Sequence, residues 1–254
     1  MELVKHIHAY LVKNQRNDLF MKKKTRRLAV PITSKKKVKV TATYKTIQVA
    51  VPQAPVEGVL PPSMTFYVDA RFTTTQVTRI RQMIGIILAE WDEHFRARNQ
   101  GEQSAYEICV DKYARFNLGP VWFEEKLANG YAAAGVQMDG LTEMIVANGF
   151  GIASKAYIMY QESVNSTIKA VNASNPETAS LSVTINASDL SKTSVSNQFL
   201  AGSLLHAWLH REGYRHPAGK YTSYMAGEAS MCIMRDNRDK TPNVPVSTYT
   251  KWLD

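Results

Sequence analysis

The stretch LLHAWLHREGYRHPAG, residues 204–219, holds three of the chain's six histidines, His206, His210 and His216. They follow the pattern H-x-x-x-H-x-x-G-x-x-H. Residues four apart on a helix lie above one another, so His206 and His210 present two imidazoles to one point. Gly213 stands where a helix ends if a residue takes positive φ. Pro217 keeps the helix from resuming, so the chain can turn back and bring His216 to the same point. Two imidazoles hold zinc weakly. A third completes a three-nitrogen set and leaves one position for water, which is the catalytic arrangement and not the closed structural one. The plain alternative is a surface helix that happens to carry histidines.

Working outward, SKTSVSNQFLAGSLLHAWLHREG (191–213) reads as a long helix capped by Ser194 or Ser196 and stopped by Gly213. Before it, LSVTINAS (181–188) alternates as a strand does. The clearest helix lies further upstream. Val77, Ile80, Met83, Ile84, Ile87, Leu88, Trp91 and Phe95 follow helical spacing, and Thr73 to Thr75 can cap them. MTFYVDARF (64–72) ahead of it has strand composition. Between the helices, YEICV, GPVWF, GYAAAGV, TEMIVANGFG and KAYIMY read as strands and connecting loops, and SVNSTIKAV as a short helix or an exposed excursion. Residues 3–21 suit a short amphipathic helix, and 38–51 one long strand or a bent pair. VPQAPVEGVLPP (51–62) carries four prolines and reads as a linker. The expected division is a basic N-terminal extension or prosegment over 1–62 and a domain over 63–254. The order strand, long helix, strands, histidine helix indicates an α/β or α+β fold.

Composition sets bounds. The chain has 254 residues, 44 % hydrophobic and 21 % charged, ordinary for a globular protein. No apolar run approaches the roughly 20 residues that cross a bilayer. The N-terminus is broken by charge and does not read as a cleaved signal peptide, so the expectation is a chain acting in the cytoplasm or exported without one. Cys109 and Cys232 form one bridge or stay as two thiols, and neither is expected to ligate the metal. Sequons at Asn165, Asn172 and Asn186 read as chance. The net charge of +9 is concentrated in MKKKTRR (21–27) and SKKKVKV (34–40). With no aromatic stacking platform beside the lysines, these read as solvated basic segments and not as nucleic-acid contacts.

The histidine pattern resembles the zinc helix of the metzincin metallopeptidases, H-E-x-x-H-x-x-G-x-x-H. The resemblance covers the three ligands and the glycine turn, and extends loosely from Met64 to Asp254. It implies a twisted mixed sheet with a backing helix and a zinc helix along the cleft floor. It implies an endopeptidase acting on peptide or protein substrates, its own N-terminal segment among them. It also implies a methionine in a tight turn under the metal. Of Met225, Met231 and Met234, the C-I-M of Cys232 to Met234 looks most like that turn, so Met234 is the first choice and Met231 the second. Tyr221, Tyr224 and Tyr249 are candidates to polarise the scissile carbonyl. No cysteine-switch sequence occurs in the N-terminal segment. The departure from the family is Ala207, where the general-base glutamate stands. We read it as an engineered replacement that silences a protease. The alternatives are a natural zinc-binding pseudoprotease that binds peptides, or a basic nucleic-acid or membrane-surface protein with a structural zinc site. Glu212 should point away from the two helical histidines, and Glu228 could reach the metal only if its loop folds back.

Overall fold

In the computed structural model, β1 (Tyr44–Ala50) lies antiparallel to β2 (Ser63–Asp69), paired from Tyr44 with Asp69 to Ala50 with Ser63. The structure describes residues 42–162, 168–170 and 181–253. The chain divides into two compact units, Met1–Thr43 and Tyr44–Asp254, and the second holds everything discussed below. Residues 44–62, read from the sequence as part of the N-terminal segment, fall in the second unit. Residues 51–62 are the connection of a hairpin: Val51 N–H donates to the Pro62 carbonyl, 3.0 Å, and Val51 and Ala54 are buried. Proline removes a ladder donor, which marks a loop; whether a loop joins two domains or two paired strands depends on the partners of its ends. The expected N-terminal helix and both lysine runs lie outside the described residues.

The sheet has the order β1-β2-β3-β5-β4. β3 (Ala156–Gln161) runs parallel to β2, and β5 (Val183–Asn186) parallel to β3. The edge strand β4 (Ile168–Ala170) is antiparallel to β5. This is a mixed α/β sheet. Met64, Phe66 and Val68 alternate along β2 and are fully buried, the period-2 pattern of a strand with a core face. α1 (Thr74–Asn99) carries the predicted stripe, and Thr73 and Gln76 form a capping box at its start. It packs on α5 (Asn197–Glu212), the histidine helix.

Two expected strand regions are helices. YEICV lies in α2 (Ala105–Tyr113), and GYAAAGV with TEMIVANG in α3 (Gly130–Gly149). Short apolar runs cannot be told from buried helix by periodicity alone. The caps decide: Ser104 and Glu107 form a capping box for α2, and the Asn129 side chain accepts from Ala132 N–H. KAYIMY is β3, as expected, and GPVWF is a loop. α4 (Ala187–Leu190), α6 (Met225–Met234) and α7 (Ser247–Thr250) complete the described elements. None of the described helices is long and apolar enough to cross a membrane.

Cys109 and Cys232 are joined as a disulfide between α2 and α6. Of the sequons, Asn186 is buried and its side-chain amide donates to Asp189, so it offers no open acceptor. Asn165 and Asn172 lie outside the described residues.

Candidate metal centre

The histidine helix is central. Of its 16 residues, 12 are buried, so it shows no one-sided stripe. Its beginning and end are local. The Ser196 hydroxyl accepts from Phe199 N–H, 3.1 Å, which selects Ser196 over Ser194 as the cap. Gly213 ends it at φ 105°, in the left-handed region. A Cβ at 213 would also sit 3.1 Å from the Trp122 ring. Midway, Trp208 stacks on Phe66 at 6.2 Å and donates to the Leu181 carbonyl at 3.2 Å. These contacts fix how the helix is rotated against the sheet.

That rotation leaves the three imidazoles facing one another. His206 Nε2 lies 3.1 Å from His210 Nε2 and 3.2 Å from His216 Nε2. Two nitrogens on one tetrahedral zinc at ordinary bond lengths stand about 3.3 Å apart. Each opposite ring nitrogen meets a carbonyl. His206 Nδ1 is 3.2 Å from the Ala226 oxygen and 3.2 Å from Ser230 Oγ. His210 Nδ1 is 2.9 Å from the Tyr214 oxygen, and His216 Nδ1 is 3.0 Å from the Pro217 oxygen. A carbonyl only accepts, so each Nδ1 carries the proton and each Nε2 keeps its lone pair. Three lone pairs aimed at one point repel unless a cation or a proton lies among them. The donor set therefore fits a metal ion, and the three side chains are close enough to bind one. His206 is buried, while His210 and His216 are half-buried, which places any access on their side. No carboxylate or thiolate joins this cluster among the described residues, and the bridged cysteines have no thiolate to offer.

The floor under His206 comes from α6 and the turn before it. Ser223 takes φ 68°, and its N–H donates to Glu228 Oε1 at 2.8 Å. Gly227 lies so close to this turn that a Cβ would fall 1.9 Å from the Tyr221 oxygen. The first residue of the helix is Met225, fully buried and next to Ala226, whose carbonyl faces His206. Of the methionines expected at a turn, Met231 lies inside α6 and Met234 is its last residue, shortly before the left-handed Asp236 and Asn237, and both pack with Leu253. Met225 is the methionine at the turn before α6. The readable signal was T-S at 222–223, residues with turn chemistry, just ahead of it.

Of the three tyrosines, the structure brings one to the histidines. The Tyr221 ring is 4.9 Å from His216 and 5.9 Å from His206. Tyr224 packs on Phe116, and Tyr249 on Phe199. Ala207 is completely buried. Neither nearby glutamate joins the histidine cluster. Glu212 accepts from Gln137 Nε2, 3.3 Å, in an interior where burial pushes its carboxyl well above the usual range. Glu228 accepts from Lys240 Nζ, 2.8 Å, as well as from Ser223 N–H. Sequence reasoning missed Ser230 and the loop over 115–122, for which no local signal exists. No protein-family model, curated protein or solved structure matches the chain.

Proposed function

We propose that the chain is the scaffold of a zinc endopeptidase of metzincin type, silenced at position 207. The observation that carries this reading is the convergence of three Nε2 atoms whose partner nitrogens are each turned onto a carbonyl. Three imidazoles without a carboxylate suit zinc among the common metals. The histidine spacing, α1 behind the histidine helix, the mixed sheet, and a buried methionine at the turn beside His206 support the metzincin-like arrangement. Zinc supplies a Lewis acid that polarises a carbonyl and brings the pKa of a water near neutrality. The chain's own residues do the rest. His206, His210 and His216 hold the ion, Ala226 and Ser230 orient the first of them, and Tyr221 stands at the rim to assist a substrate oxygen. Ala207 can neither take nor return a proton, so the chain as written binds without hydrolysing.

Restoring the base tests the reading. Zinc-loaded Ala207→Glu protein is expected to cleave a mixed peptide library, with activity abolished by chelator. The expected gain over the parent is roughly 10²–10⁴-fold, the scale of a general base. A variant that is folded and zinc-loaded yet cleaves nothing removes the enzyme and leaves a peptide-binding zinc module. The complete burial of Ala207 favours that second reading if the introduced carboxylate lowers stability without producing turnover.

A further inference from the structure

His206 and His210 are placed by the helix that carries them, whereas His216 sits on no regular element. Its Nδ1 contact is with the carbonyl of the next residue, which moves with it. Something outside the 214–220 loop has to set its position. One segment reaches that loop and the turn under His206 together. At one end, Arg115 and Phe116 N–H donate to the Ser223 carbonyl, 2.7 and 2.8 Å, and Met225 N–H donates to the Phe116 carbonyl, 3.0 Å. At the other, Asn117 Nδ2 donates to the Arg215 carbonyl at 2.8 Å. Val121 N–H donates to the Gly213 carbonyl at 3.0 Å, and Trp122 Nε1 to the Glu212 carbonyl at 2.6 Å. Asn117 does this from φ 46°, a conformation asparagine tolerates better than most residues.

We propose that the 115–122 segment is a positioning strap for the metal centre. Asn117 acts through the Arg215 carbonyl and Trp122 through the Glu212 carbonyl to set His216 against the two helical histidines. The proposal rests on the reading of the three histidines as one metal site. The three hydrogen bonds on the ligand side all end on carbonyls between the last turn of α5 and His216. The last of these, from Asn117, lands one residue before the ligand. Partners bonded directly to a ligand typically change metal affinity roughly 10–100-fold when lost; these act one step further out, through the backbone before His216.

The test uses the full chain and cobalt(II) alone, whose visible spectrum reports coordination geometry. Asn117→Asp keeps the size and the tolerance of left-handed φ but replaces the donating amide by an acceptor. Trp122→Phe removes the indole N–H together with the five-membered ring that lies over Gly213. Each is expected to weaken cobalt binding by a few-fold up to roughly 10-fold, the lower edge of the range for direct partners, and to alter the spectrum, with the unfolding midpoint of the metal-free protein close to the parent's. Parent affinity and spectrum in both variants would overturn the strap while leaving the metal site standing. A parent that binds no cobalt overturns the metal reading itself, and the strap with it. If one substitution prevents folding, the other decides.

Discussion

The two helical histidines and His216 make the same kind of contact to one point, by opposite means. His206 and His210 are brought together by helix geometry, which is local and is set once α5 forms. His216 reaches them through a left-handed glycine, an irregular loop and a strap from about 100 residues upstream in the chain, Asn117 against Arg215. The brace on His206 is likewise remote, from Ala226 and Ser230 on α6. A three-ligand site can thus be two-thirds encoded in one helical turn and still depend on long-range structure for closure.

The largest effect expected is on the local part. His210→Ala removes one of three nitrogens and should abolish stoichiometric zinc binding. The loss of affinity should exceed the roughly 100-fold that outer partners reach, as read by competition with a chelating dye. Binding equal to the parent's would sink the ligand assignment.

The disulfide tests the remote part. Cys109 stands in α2, at the root of the strap, and Cys232 in α6, which braces His206. The bridge spans 123 residues of sequence, and a loop of that size constrains the unfolded chain by about 4–5 kcal/mol in the chain-entropy model. A Cys109→Ser/Cys232→Ser double variant should lose stability on that order in denaturant titrations, yet bind one zinc while folded. Zinc lost from a folded double variant would show that a cysteine is a ligand after all.

The smallest effect falls on a single brace. Ser230 Oγ lies 3.2 Å from His206 Nδ1 and donates to the Ala226 carbonyl. Ser230→Ala leaves that carbonyl in place, so zinc affinity by calorimetric competition should fall only a few-fold, less than the roughly 10–100-fold of a sole outer partner. An unchanged affinity would assign the whole brace to Ala226 and narrow the remote contribution to backbone.

The sequence by itself determined what short-range geometry controls. The 3.6-residue period placed α1 and its buried stripe, strand composition placed β2, alternation placed β5, and Gly213 set the end of α5. The spacing of His206, His210 and His216 identified the candidate metal ligands. Tertiary structure decided the rest. It made helices of three short apolar runs, because runs this short cannot be told from strands by periodicity alone. It joined β1 to the sheet across a proline-rich loop whose role depends on what its ends pair with. It paired the cysteines, set Met225 at the turn before α6, and of three tyrosines brought Tyr221 to the histidines. Each of those outcomes depends on contacts between groups far apart in the chain, and residue order carries no local signal for them.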